Sequence, residues 1–384
     1  MAREITAFAN SSGGKIFLGI SDDNKIKGVR ITNKLKSQIQ DIARNCDPPV
    51  KIGFDSIEIE KKPVLVVIIP EGENKPYQCS LGFYLRQGSN SQKLTRDEII
   101  DFSIGEGKIK FDKQINTKFD FKKDFNEKKL NEYLNLAGIE KDLDVNDILT
   151  NLGVAISEKN RLIFNNACIL FFAKNPGKFF PTSKVICVNY QTNEKLKILD
   201  RKIFDDGIIE NIKEAIAYIK KHVNVEFVIK KLKREEIPQY PEEAIRECIV
   251  NAVMHRDYFD DSGDILIEVF RNKIIISNPG GLVKGLKPEE FGKVSRTRNS
   301  LIAGLLSRTE YVEKLGTGIN RIRKALKESN LPHPRFEYNH SFFVTLYDKT
   351  GISSELVEGL VEGLVETQKK ILDLVSDSPR ISKR

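Results

Sequence analysis

The stretch Pro241-Glu-Glu-Ala-Ile-Arg-Glu-Cys-Ile-Val-Asn-Ala-Val-Met-His-Arg-Asp257 decides the reading of this chain. Glu247, Asn251 and His255 recur every four residues, which places them on one strip of a helix. Ala244, Ile245, Cys248, Ile249, Ala252 and Val253 form the adjoining apolar arc. Such a helix packs on one side and turns its polar strip toward a cleft. A carboxylate followed by a carboxamide one turn later suits a magnesium-nucleotide site. The Glu can polarise a water, and the Asn oxygen can bind a hard cation that carries phosphates. The plainer alternative is an amphipathic helix with a solvated polar face.

The sequence that follows favours the first reading. Asp264–Phe270 and Ile274–Ile276, joined by Arg271-Asn-Lys273, read as two strands and a tight turn. They run into Ser277-Asn-Pro-Gly-Gly-Leu282, where paired glycines after a strand let backbone approach a ligand closely. Next comes the basic stretch Ser295-Arg-Thr-Arg-Asn299. Lys314-Leu-Gly-Thr-Gly-Ile319 is a second glycine turn, opening onto a helix through about Leu326. A helix N-terminus behind Gly-Thr-Gly is a natural phosphate site. Each glycine turn alone is ordinary loop chemistry; the ordered set is far more specific.

Residues 240–347 resemble the divergent GHKL (Bergerat-fold) ATPase domain of gyrase B, the mismatch-repair proteins and histidine kinases. The resemblance is to the version labelled RecG-like C-terminal, through "YPEEAIRECIVNAVMHRDY", "ISNPGGL" and "VEKLGTGINRI". It implies ATP and magnesium (Mg2+) as cofactors, Glu247 as the water-polarising base and Asn251 as the magnesium ligand. The nucleotide site it implies also takes in His255, Asn278, Gly280, Gly281, Arg298, Gly316, Thr317 and Gly318. Asn278 and Gly280 fall at the adenine-side turn, and Gly316 and Gly318 at the phosphates. One position departs from the pattern: the wider family reads adenine with an Asp where this chain has Asn278. An Asn oxygen still accepts from an exocyclic amine, without charge. No G-x-x-x-x-G-K-[ST] loop occurs, so a P-loop helicase is not supported.

The N-terminal part carries its own pattern. Glu4–Asn10 reads as a helix ending at Gly13-Gly14, then a strand Lys15–Ile20 and a turn at Asp22-Asp23. Pro63–Ile69 and Gly82–Ser89 read as strands, and Thr95-Arg-Asp-Glu98 as a capping box. "FANSSGGKIFLGISDD" and "KPYQCSLGFYLRQGS" resemble the Schlafen-type AlbA-like DNA-binding domain over residues 1 to about 103. Members carry an acidic strand before this helix, whereas this sequence starts within the helix. Schlafens with RNase activity use three carboxylates, two of them from that strand; Asp22, with Asp23 beside it, would be the third. Two acids in a turn are ordinary turn formers, and one or two cannot make a two-metal clamp unaided.

Composition agrees with a globular, non-secreted protein. The chain has 384 residues, 40% hydrophobic and 30% charged, enough for two or three domains. The apolar run Val64–Ile69 is far too short to span a bilayer, and Met1–Asn10 is not a secretory signal. Five cysteines without a C-x-x-C pair fit a reducing cytoplasm. Of the net charge of +8, residues 284–324 supply ten Lys/Arg against four acids, a difference of +6. That excess suits a triphosphate, a nucleic-acid backbone or a solvated basic surface.

The expected class is therefore multidomain α+β. It comprises an AlbA-like domain at 1–105, a connector at 106–146, a middle α/β region at 147–237, a GHKL-type α/β sandwich at 238–348 and a short helical tail at 349–384. The connector has little apolar periodicity until Leu130 and reads as passing into helix. In the middle region, Asn166–Phe172 and Lys184–Tyr190 read as buried strands or short helices, and Asp206–Lys221 as a helix. The tail repeats Leu-Val-Glu-Gly from Leu356, a period that drifts around a helix. From Pro379 it resembles the first third of a winged helix-turn-helix. The sequence thus reads as shortened at both ends, with an uncovered sheet edge and self-association as the expected consequence. The function read here is nucleotide-responsive nucleic-acid binding, DNA over RNA, in transcriptional regulation or defence. It needs no membrane, and any ATPase activity would be weak. The alternatives are a Schlafen-like metal-dependent nuclease and a scaffold with a degenerate ATPase fold.

Overall fold

A computed structural model describes residues 1–351 apart from 22, 24, 159–160, 231–232 and 313–316, and gives backbone alone for 226–237. The described residues divide into two compact units, one over Met1–Ile109 and one beginning at Lys110. Both mix helices with sheets, as the α+β expectation requires. No helix among the described residues is long and apolar enough to cross a membrane.

In the first unit the run Pro63–Ile69 forces a central position. Lys62–Ile69 pairs antiparallel with Gly14–Leu18 on one side and Gly53–Ile59 on the other. Leu65, Val67 and Ile69 face a core shared with Ile5 and Ala9 of the first helix, Ala2–Asn10, and with Ile39 and Ala43 of Asn33–Arg44. Asn10 locks that core together. Its side-chain amide donates to the carbonyls of Tyr77 and Tyr84, each at 2.8 Å, and its oxygen accepts from Tyr77 N–H at 2.7 Å. Burying a carboxamide is tolerated because donor and acceptor are both satisfied. The Thr95–Glu98 capping box opens the helix Arg96–Gly105, as its spacing predicts.

The second unit is built on a six-stranded mixed sheet. Its order is Ile198–Phe204, Val185–Tyr190, Ile265–Val269, Lys273–Pro279, Ser341–Tyr347, Arg335–Tyr338. Neighbours are antiparallel except Val185–Tyr190 with Ile265–Val269, which run parallel. The stretch 147–237 thus gives two strands to the same sheet as the stretch 238–348. Period-two burial selects the packed face: Ile265, Ile267, Ile274, Ile276, Val344 and Leu346 are all buried. Helices Ile208–His222, Glu242–His255 and Gly318–Glu328 cover that face, with Glu242–His255 between the other two. Asn166–Phe172 is a helix, every residue of it buried. Within 106–146, helices Phe121–Asp124 and Glu127–Leu136 begin earlier than the sequence suggested. Phe111, Phe179 and Phe180 pack on the core and on one another. The repeat from Leu356 and the Pro379 segment lie outside the described residues.

Candidate nucleotide site

The Glu242–His255 helix is buried nearly all round, and this changes the status of its polar strip. Glu247 is only 5% exposed. Its carboxylate Oε1 accepts from the Asn251 amide at 3.2 Å, and Arg321 of the facing helix stands 3.5 Å from Oε2. Oε2 is buried and accepts no hydrogen bond among the described residues. Burial raises the Glu247 pKa above the ordinary carboxylate value, while Arg321 and the Asn251 bond pull it back down. Because the Asn251 amide is committed to Glu247, the carboxamide oxygen is its remaining acceptor.

Gly318 explains why the second glycine turn sits where it does. A Cβ on Gly318 would lie 2.1 Å from Glu247 Oε1 and 3.0 Å from the Asn251 amide nitrogen. Only a residue without a side chain lets the start of the Gly318–Glu328 helix approach the pair this closely. The first N–H groups of that helix have no intrahelical partner and carry its partial positive charge. They abut the one buried carboxylate of the strip.

Glu247, Asn251, His255, Asn278, Gly280, Gly281 and Gly318 all line one cleft. Residues roughly 70 positions apart in sequence therefore meet in one place. Asn278, at the end of strand Lys273–Pro279, is 3% exposed and donates its amide to the Pro279 carbonyl at 3.0 Å. His255 is half-buried, and its pKa is pushed down to about 4, first by burial and then by the Arg298 guanidinium. It is neutral near pH 7, and its Nδ1 is buried without a hydrogen-bond partner among the described residues.

The remaining expected residues fall elsewhere. Arg298 does not line the cleft. Its Nε donates to the His255 carbonyl at 3.0 Å, Nη1 to Asp257 Oδ2 at 2.8 Å and Nη2 to the Gly281 carbonyl at 2.9 Å. Asn299 adds amide bonds to the carbonyls of Met254 (3.0 Å) and Arg256 (2.8 Å), closing the C-terminal end of the Glu242–His255 helix. Gly281 answers to the protein as well: a Cβ there would meet the Asn339 carbonyl oxygen at 2.0 Å. Thr317 is an exposed N-cap residue away from the cleft wall, and Gly316 lies outside the described residues.

Sequence reasoning missed the apolar wall. Met254, Val294, Ile319, Phe291 and Phe342 line the cleft, with the Phe291 and Phe342 rings 5.9 Å apart. The alternation Phe336, Tyr338, Phe342 in a terminal hairpin was an available signal for one inward-facing aromatic row. Arg321 was also missed, although it lies three residues into the helix behind the Gly-Thr-Gly turn.

The carboxylate pair of the first unit looks different. Asp22 lies outside the described residues. Asp23 is exposed, accepts from the Ser21 hydroxyl at 2.5 Å and pairs with Lys25 at 2.9 Å, as a turn residue does.

Comparison with known proteins follows the same division. A search of curated proteins gives no match. In fold the chain is similar to the crystal structure of the DIP2311 protein from Corynebacterium diphtheriae. The TM-score is 0.54 at 18% identity, over 90% of this chain and 69% of that one. Residues 1–95 match the family described as "Schlafen, AlbA_2". Residues 263–346 match the family described as "Putative ATP-dependent DNA helicase recG C-terminal", a span that includes Asn278, Gly280, Gly281, Arg298 and Gly318 but stops short of Glu247, Asn251 and His255.

Proposed function

We propose that this chain is a nucleotide-responsive DNA-binding protein of the transcriptional-regulator or defence kind. ATP binds in the cleft lined by Glu247, Asn251 and Asn278 in the second unit, and the first unit holds nucleic acid. The observation that carries the reading is the approach of the Gly318 helix start to the Glu247–Asn251 pair, within the cleft that Asn278 and Gly280 close. A cleft with an apolar wall and a few converging polar groups is the usual form of a small-molecule site.

The residues present fit a magnesium-nucleotide. The Asn251 oxygen is an acceptor of the hard kind that Mg2+ takes alongside phosphate oxygens. Bound there, the ion would supply charge neutralisation for the phosphates. Glu247 is placed to hold and polarise a water: its Oε2 accepts no hydrogen bond, and burial keeps its basicity above that of a free carboxylate. Met254, Phe291 and Phe342 exclude water and offer a flat apolar surface to a base. Asn278 retains an oxygen that can accept from an exocyclic amine.

Calorimetry on the full chain tests the nucleotide half. ATP is expected to bind with magnesium, and Asn251→Ala to weaken that binding by about tenfold or more while changing magnesium-free binding little. Equal affinities for parent and variant in magnesium would sink the assignment. For the nucleic-acid half, duplex DNA binding should fall linearly with log salt, by about 0.9 log units per phosphate neutralised. A flat salt dependence counts against it.

A further inference from the structure

We propose that Arg296 is the residue through which the cleft recognises the polyphosphate of its ligand, an inference that rests on the nucleotide reading above. The basic stretch Ser295–Asn299 contains two arginines, and the structure gives them opposite employment. All three nitrogens of the Arg298 guanidinium donate to protein acceptors, at 2.8–3.0 Å. Arg296 is exposed, lines the cleft and forms no ion pair among the described residues.

Charge within the cleft points the same way. Among the described lining residues Arg296 is the only Lys or Arg, and Glu247 the only acid. His255 is neutral near pH 7, its pKa being about 4. Among the described lining residues, a polyphosphate entering such a cleft would meet one carboxylate, Glu247, and one cation, Arg296. A guanidinium presents a rigid fork that matches two phosphate oxygens, which suits this task better than a point charge. Ser295 and Thr297 flank it on the same wall and add hydroxyl donors.

Gly285 supplies an independent observation. Its φ is +78°, and a Cβ built on it would lie 3.1 Å from Arg296 Nη1. The positive φ favours glycine there, and the Arg296 guanidinium lies beside it. An exposed arginine without a carboxylate partner adds little to folding, so it can be replaced without unfolding the protein.

The experiment uses the full chain and three probes: ATP, adenosine and inorganic tripolyphosphate. Each is titrated by calorimetry into the parent, Arg296→Gln and Arg296→Lys, and melting curves check that the variants fold alike. Arg296→Gln is expected to lose about tenfold or more in affinity for ATP and tripolyphosphate and nothing for adenosine. Arg296→Lys should fall between, keeping charge but not the fork. Unchanged ATP affinity in Arg296→Gln overturns the proposal, and so does an equal loss for ATP and adenosine. If the parent binds adenosine and ATP alike and ignores tripolyphosphate, the Arg296 proposal fails while the nucleotide reading stands. If the parent binds tripolyphosphate through Arg296 but neither ATP nor adenosine, the nucleotide reading fails and the anion site stands.

Discussion

Glu247→Gln is expected to leave ATP binding intact and to slow hydrolysis by about 10²–10⁴-fold, the usual contribution of a placed general base. The substitution keeps the shape that fits against Gly318 and an oxygen that Asn251 can reach. It removes the group that takes a proton. The pH dependence follows from the same side chain. Burial raises its pKa, so the ionised base is lost on acidification at a higher pH than for an exposed glutamate, whose pKa is about 4.3. The parent rate should therefore rise with pH through a limb displaced above that value. Arg321, which opposes the shift, limits the displacement; Arg321→Gln should move the limb to still higher pH. Steady-state hydrolysis across pH reads both effects. A Glu247→Gln protein as fast as the parent would place the water-polarising group elsewhere.

Arg256→Ala should cost about 3–5 kcal/mol of stability, from carbonyl acceptors left without donors and from the void left in the core. Arg256 is completely buried. Its Nη1 donates to the Asp257 carbonyl, and its Nη2 to the carbonyls of Asp260 at 3.0 Å and Gly263 at 2.6 Å. The guanidinium also lies 5.0 Å from the Tyr258 ring centroid. One side chain thus satisfies the carbonyls of the turn that carries the chain from the Glu247 helix into strand Ile265–Val269. Removing it leaves those acceptors buried without donors and opens a void of arginine size. Urea unfolding measures the loss; a cost below about 1 kcal/mol would mean that water or a neighbour replaces the guanidinium.

Arg296, Arg298 and Arg256 mark where sequence reading stopped. The shared face of Glu247 and Asn251 was legible because a four-residue spacing fixes it, whereas Gly318 stood out only through the ordered set of motifs, a glycine turn alone being ordinary loop chemistry. The fate of Arg298 was not legible. Its acceptors are backbone carbonyls at positions 255 and 281, and a carbonyl has no signature in a sequence. The role of Arg256 was not legible for the same reason. The parallel pairing of Val185–Tyr190 with Ile265–Val269 joins segments far apart in the chain, and local periodicity carries no information on which strands pair. Strand existence was easier: Lys62–Ile69 and Gly82–Gln87 came from apolar runs bounded by turn residues.

The bond from Arg298 to the Gly281 carbonyl has a topological consequence. It ties residue 298 to residue 281, so the intervening segment, which carries Phe291, Val294 and Arg296 to the cleft, is a ring whose ends are already joined. Ring closure restricts the shapes that the segment can sample before any ligand arrives. Without that side chain the wall would be held in its middle, where the Gly292 carbonyl accepts from Asn320, but not at its far end, and a ligand would have to supply more of the ordering free energy out of its own affinity.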